Sequence, residues 1–249
     1  MKLSVVIPAY NEEASIRRTI TTVADYVRTT FPDGEIIVID DGSTDHTRDI
    51  VRSLMSTYPL RFITHKKNKG KGAAVRTGAL SAHGDYILFM DADMSTHIQE
   101  FDGLYRALVG GADIAIGSRY MNTSHVVVYQ PWFRVILGRI ANTIVRMMLL
   151  PRIYDTQCGF KAFTHETALI LFHLQTMERW SFDVELLVLA RRLGYTIVEV
   201  PITWEDSRDR KSRFRAVRDA NGMVLDVLRV MYAIACKRYG DLDQHKKIR

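Results

Sequence analysis

The sequence predicts a doubly wound, mainly parallel α/β sheet with helices on both faces. Three observations carry the prediction. Short apolar runs recur from Leu3 to Ile116, and continuous runs of this length read as strands buried on both faces. Stretches with apolar residues at helical spacing separate them. The runs also end in polar residues, carboxylates above all, at the edge where open α/β sheets place their ligands.

The first strand is Leu3 to Ile7, stopped by Pro8, which cannot donate to a ladder. A helix follows, with Ile16, Ile20, Val23, Ala24 and Val27 on its apolar face and its start near Asn11 or Glu12. Tyr10 and Glu12, at this turn, suit stacking on a base and contact with a ribose or base. The alternative is that Asn11, Glu12 and Glu13 only complement the helix dipole. The second strand, Glu35 to Asp40, also runs into carboxylates, Asp40 and Asp41, which can accept hydrogen bonds from a ribose or base edge. Ser43, Thr44 and Asp45 then cap a helix through Ile50, Val51 and Leu54. A third strand spans Leu60 to Thr64.

His65 to Ala74 is a basic, glycine-bearing turn that opens a helix through Val75 and Leu80. Backbone N–H groups at such a start bind anions. Its spacing matches neither G-x-G-x-x-G nor G-x-x-x-x-G-K-[ST], which counts against a dinucleotide dehydrogenase and a P-loop NTPase. The fourth strand, Tyr86 to Met90, meets Asp91 and Asp93, separated by Ala92. Two carboxylates this close repel unless a cation lies between them. Mg²⁺ or Mn²⁺ held against a diphosphate is one reading, because Mg²⁺ binds through one or two carboxylates plus phosphates. A solvated, helix-capping pair is the other. A helix over Ile98 to Val109 and a strand over Ala112 to Ile116 lead to Arg119, whose planar fork suits a phosphate.

From Pro131 the texture changes. Trp132 to Leu150 reads as a helix with a very wide apolar face and a narrow cationic stripe that includes Arg134. Val217 to Ile234 repeats the type. Such helices pack in a core or lie in a membrane interface. Between them come a polar turn from Asp155 to Lys161, a helix opened by Arg179 to Glu185, and a strand from Thr196 to Val200. Five of the eight residues from Arg208 to Arg215 are cations, a phosphate clamp, a membrane-surface patch or only a solvated loop.

Composition bounds the rest. The chain has 249 residues, 47% of them hydrophobic, enough for a large core. A net charge of +6 favours a phosphate-bearing partner or an anionic membrane. Two cysteines, Cys158 and Cys236, make no disulfide framework and fit a reducing compartment. Neither a signal peptide nor a transmembrane helix is expected. Taken together, the acidic strand ends, Arg119 and the basic loop describe a metal-assisted site for a nucleotide diphosphate that leaves as the diphosphate.

Val6 to Glu13, Val38 to Asp45, Asn68 to Gly72, Met90 to Asp93 and Gly117 to Tyr120 resemble the motifs of family 2 inverting glycosyltransferases of the GT-A fold. Asp155 to Lys161, Trp180 to Glu185 and Val200 to Trp204 narrow the likeness to the polyprenyl-phosphate sugar transferases. The resemblance implies that Pro8, Tyr10, Glu12 and Asp40 hold the nucleoside and Asp91 and Asp93 the metal. Arg119 and Arg134 would bind the acceptor phosphate or diphosphate, and Lys211 and Arg213 would close over the diphosphate. In the mannose enzymes of this type a Gln lies two residues past the second Asp and can also bind metal. Ser95 stands there, with His97 as a substitute ligand.

The implied reaction moves a hexose, glucose from UDP-glucose, onto a dolichyl-type phosphate with inversion, giving a β-linked product. Asp155 and Asp183 are the carboxylates most like a base, and modest losses are expected for Asp183→Asn. The implied organisation is a catalytic domain over 1–213, with a nucleotide-binding half (1–120) and an acceptor half (121–213), followed by an amphipathic helix and basic tail (214–249). The protein is expected to lie peripherally on the cytoplasmic face of a membrane, without nucleic acid as a partner. Alternatives are a GDP-mannose donor, a polysaccharide or protein hydroxyl acceptor, and a non-enzymatic nucleotide- or lipid-binding module.

Overall fold

The computed structural model describes residues 1–127, 149–205, 229, 230, 232, 233 and 239. Seven strands form the central sheet in the order β3-β2-β1-β4-β7-β5-β8. They are β1 (Leu3–Ala9), β2 (Glu35–Asp40), β3 (Leu60–Thr64), β4 (Tyr86–Met90), β5 (Ile114–Ser118), β7 (Phe160–Thr164) and β8 (Ile197–Pro201). All neighbours pair in parallel except β7, which runs antiparallel to both β4 and β5. A separate pair, β6 (His125–Val127) and β9 (Thr203–Glu205), is parallel.

Among the described residues, the helices include α1 (Ile16–Thr30), α2 (Thr47–Leu54), α3 (Lys71–Leu80), α4 (Phe101–Val109), α5 (His165–Leu174) and α6 (Phe182–Arg192). A single 3₁₀ turn, Ile98–Glu100, precedes α4. Each strand feeds two cores. In β1, Leu3, Val5 and Ile7 pack with α1 and α4, whereas Val6 packs with α3, α5 and α6. Alternate residues of a strand point to opposite faces, so a continuous apolar run is what a sheet covered on both sides requires. The strand order extends one way from β1 to β3 and then returns to β4 on the other side of β1. That reversal puts a crevice between the carboxyl ends of β1 and β4.

The structure revises three local expectations. Strand β1 runs through Pro8 to Ala9. Ala9 O accepts the Asp41 N–H, so Ala9 faces β2, and Pro8 turns its missing donor toward β4, whose pairing with β1 ends at Val6. Helix α1 starts at Ile16, not at Asn11 or Glu12. Asn11 takes a left-handed turn, φ 56°, and Glu12 O accepts the N–H groups of Ser15 and Ile16. The polar turn opened by Asp155 ends at Gly159, and the strand that follows it, β7, has no counterpart in the sequence reading. A lysine interrupts its run of Phe160, Ala162 and Phe163.

The expected helices over Trp132 to Leu150 and Val217 to Ile234 fall almost wholly outside the described residues, as do Arg134, Lys211, Arg213 and the rest of the basic run. Among the described residues, no helix is long and apolar enough to cross a membrane.

Candidate active site

The carboxyl ends of β1, β2, β4 and β5 and the start of β7 meet at one edge of the sheet. Asp91 and Asp93 follow β4 directly. Asp93 closes a tight turn, its Oδ1 accepting the Ser95 N–H at 3.0 Å, while Met94 takes φ 55°. Ser95 is buried, and its carbonyl accepts the Glu205 N–H of β9 at 2.8 Å. The Ser95 backbone thus ties the turn to the small sheet.

Asp91 is held from two sides. Lys71, the first residue of α3, places its Nζ 2.5 Å from Asp91 Oδ1. Burial opposes the Lys71 charge, but Asp91, then Asp183 and Asp93, outweigh it and raise its pKa. On the other side lies Gly159. A Cβ there would stand 2.6 Å from the Asp91 Cγ and 2.8 Å from its Oδ1. Gly159→Ala is therefore expected to push Asp91 off its position and reduce turnover at least tenfold, with melting changed little. Steady-state kinetics beside a thermal melt checks this, and an alanine variant with wild-type turnover refutes it.

Below this pair sits a buried ion pair. Lys161 Nζ on β7 lies 2.6 Å from Asp183 Oδ1 on α6 and also donates to Cys158 O. Burial pushes the Asp183 pKa up, with Lys161 and Lys71 opposing. Burial likewise pushes the Cys158 thiol up to about 12, so it is not a nucleophile.

Arg119 follows β5. Its Nε and Nη2 grip Asp155 Oδ2 and Oδ1 at 2.7 and 2.9 Å, and its N–H adds a third bond to Oδ2 at 3.0 Å. The guanidinium lies over the rings of Tyr120 and Trp204. Burial works against the Asp155 charge, but Arg119 dominates and holds the carboxyl below its ordinary range. The turn carrying Asp155 is fixed in its turn by Glu199 on β8, which accepts the N–H groups of Tyr154 and Asp155 at 2.7 and 2.9 Å. Nη1 of Arg119 has no partner among the described residues and remains available to an anion.

At the β1 and β2 ends the two turns are clasped together. Asn11 and Glu12 donate through their N–H groups to Ser43 Oγ and Thr47 Oγ1, and Thr44 N–H donates to Asn11 Oδ1. Tyr10 stays exposed, as a base-stacking ring would. Glu12 instead accepts the Ser15 hydroxyl at 2.8 Å. Asp40 departs further from the expectation of a nucleoside contact. It is fully buried, with Oδ1 accepting the Ser43 N–H and Oδ2 paired to Arg48. The next residue, Asp41, collects His65 Nδ1 and the N–H groups of Lys69 and Gly70. Asp41 thereby anchors the basic loop to β2 and fixes where Lys71 begins α3.

The fold thus brings Pro8, Tyr10, Glu12, Asp91, Asp93, Ser95, Arg119, Asp155 and Asp183 to one edge. Among the described residues, no group of three or more His, Cys, Asp or Glu side chains could hold a metal ion, so His97 does not complete a set with Asp91 and Asp93. Sequence reasoning singled out the basic loop that holds Lys71 and the turn that holds Gly159 and Lys161, but not the individual roles of these three residues, and it missed Glu199. A further signal was Lys161, a lone cation inside an apolar run.

Residues 4–168 match the glycosyl transferase family 2 model. A dolichyl-phosphate β-glucosyltransferase from Dictyostelium discoideum is 34% identical over 243 residues, 92% of this chain and 74% of that protein. The Homo sapiens protein of that name is 35% identical over 224 residues, 84% of this chain and 69% of its own. The Drosophila melanogaster one is 37% identical over 220 residues, 83% and 68% of the two. Among solved structures, glucosyl-3-phosphoglycerate synthase from Mycobacterium tuberculosis in complex with Mn²⁺, UDP and phosphoglyceric acid superposes with a TM-score of 0.67 at 23% identity. That alignment covers 96% of this chain and 78% of the synthase. The same synthase with Mg²⁺ and UDP gives 0.66 at 22%, covering 91% and 79%. These likenesses show the GT-A fold, the one the sequence motifs resemble. On the match of residues 4–168, and on relatives above 30% identity that share most of its length, the chain belongs to glycosyl transferase family 2 and is a glycosyltransferase.

Proposed function

We propose that the enzyme moves glucose from UDP-glucose onto a polyprenyl phosphate of the dolichyl type, with inversion to a β-linked product. The observation that carries the phosphate acceptor is the state of the two carboxylates that resemble a base. Asp155 is committed to Arg119, and Asp183 is buried against Lys161. A sugar or protein hydroxyl needs a base to remove its proton. A phosphomonoester, with a second pKa near ~6, is already an oxyanion at neutral pH and needs only to be aimed. The acceptor names of the relatives point the same way.

Asp91 and Asp93 fit a divalent cation as cofactor, Mg²⁺ or Mn²⁺. Both present hard carboxylate oxygens, Gly159 leaves the room that the Asp91 carboxyl itself occupies, and the Lys71 ammonium already stands against Asp91 as a cation. Bound there, the ion would neutralise charge developing on the leaving diphosphate. Ser95, at the position of the third ligand in the mannose enzymes, would add its hydroxyl or leave that place to water. The solved synthase with Mn²⁺ or Mg²⁺ and UDP supports such a site on this fold.

This chain's own residues do the rest. Tyr10, with Pro8 and Glu12 beside it, receives the nucleoside. Arg119, braced by Asp155, turns its remaining N–H groups toward the acceptor phosphate. The phosphate oxygen attacks the anomeric carbon as the bond to the diphosphate breaks on the opposite side. Arg134, Lys211 and Arg213 are assigned to the phosphates on sequence alone. A polyprenyl acceptor brings the enzyme to a membrane surface, and we place it peripherally on the cytoplasmic face.

A donor screen tests this reading. The protein is incubated with Mg²⁺, a short polyprenyl phosphate, and UDP-glucose or GDP-mannose in parallel, and release of UDP or GDP is followed. The expected result is UDP release only, and only with the lipid phosphate present. Release from GDP-mannose overturns the donor. Slow release independent of lipid overturns the acceptor and favours a hydroxyl acceptor.

A further inference from the structure

Trp180 is more than half exposed, at 56%, yet the residues just before it are tied to neighbouring elements. The turn that carries it rests on the first turn of α3. Ala73 N–H donates to Glu178 O at 2.9 Å, and Gln175 Nε2 donates to Gly72 O at 3.0 Å and to Met177 O at 2.7 Å. Gly70, at φ 118°, and Gly72 permit the approach. A Cβ on Gly70 would lie 2.9 Å from Arg179 Cγ, and one on Gly72 would lie 2.6 Å from Met177 O. From the other side, Glu185 accepts the N–H groups of Thr176 and Met177 at 2.9 Å each. A large apolar ring is thus held outward by a rigid turn, where tryptophan is ordinarily well covered.

The ring faces the reaction centre. Lys71 Nζ lies 5.4 Å from the Trp180 ring centroid and 2.5 Å from Asp91 Oδ1. A single ammonium therefore separates the indole from the carboxylate assigned to the cation that would meet the diphosphate. The hexose is joined directly to that diphosphate, so it must lie within reach of the ring.

We propose that Trp180 forms the wall on which the donor hexose stacks, and that it selects sugars whose ring hydroxyls are equatorial. This rests on the donor reading above. A glucopyranose presents C–H groups on the faces of its ring, an apolar surface matched to an indole face. An axial hydroxyl, as galactose carries at C4, interrupts that surface and leaves a polar group without a partner against the ring.

Calorimetric titration of the full chain with Mg²⁺ and UDP, UDP-glucose or UDP-galactose tests this. Trp180→Ala is expected to bind UDP within twofold of wild type, which also reports an intact fold. Its affinity for UDP-glucose falls about tenfold, its preference for UDP-glucose over UDP-galactose shrinks, and Trp180→Phe recovers most of the loss. Undiminished UDP-glucose binding in Trp180→Ala overturns this inference alone. Equal weakening of UDP and UDP-glucose does the same, because the ring would then serve the nucleotide or the fold. A wild-type protein that binds no UDP overturns the donor reading, and this inference with it.

Discussion

Asp91→Asn is expected to lower turnover by about 10²–10³-fold, the scale on which a main electrostatic support of a transition state contributes. The substitution keeps the volume and removes only the charge. Asp91 lies just past the end of β4, its side chain partly exposed, so no ladder bond depends on it. Lys71 loses its nearest counter-charge but keeps Asp183 and Asp93 nearby, so the melting temperature should move little. Asp93→Asn is expected to act in the same direction. Its Oδ1 also shapes the turn through Ser95 N–H, a bond the asparagine oxygen can keep. UDP release at saturating Mg²⁺, read beside a circular-dichroism melt, checks both variants. Full turnover by a folded Asp91→Asn protein would sink the metal assignment.

Lys161→Met should be the most destabilising of the substitutions considered, by about 3–5 kcal/mol, because it leaves Asp183 buried without its direct ion-pair partner, with only the more distant Lys71, itself paired to Asp91, to oppose its charge. Both partners are almost fully enclosed, and Lys161 also satisfies the Cys158 carbonyl. Urea unfolding at several pH values measures the effect. Without Lys161, burial raises the folded-state pKa of Asp183 further above its unfolded value near ~3.9. The unfolded state then releases its proton first as pH rises, so the penalty grows above about pH 4 and is least in acid. The double variant Lys161→Met, Asp183→Leu should recover much of the loss, since an apolar pair of similar volume replaces a buried ion pair at little cost. A Lys161→Met protein as stable as wild type would show that the pair does not hold β7 to α6. The modest effect expected from sequence for Asp183→Asn is thus redirected. Asparagine leaves the Lys161 ammonium buried without its counter-charge, so the loss falls on folding before it falls on chemistry.

The strand ends were legible because each of β1, β2, β4 and β5 is a continuous apolar run meeting a polar turn, and a buried parallel sheet leaves that mark in one dimension. Asp91, Asp93 and Arg119 follow such runs directly, and the motif series from Val6 to Tyr120 was enough to reach the family. Strand β7 was not legible. Its pattern is broken by Lys161, and the charge is tolerated only because Asp183, 22 residues later, meets it inside the protein. The candidate bases show the same limit. Asp155 and Asp183 look alike in sequence, as acids beside aromatic and apolar residues, yet one is clamped by Arg119 across 36 residues and the other sits under the sheet edge. Gly159 looked like a turn glycine, and only packing shows that it makes room for Asp91.

By itself, then, the sequence determined the layered sheet, its active edge and the family, because all three depend on patterns local to each strand and turn. The tertiary structure alone decided which charges are spent on each other and which remain for a substrate. That division rests on side chains brought together from distant strands, where burial makes an unpaired charge too costly to keep.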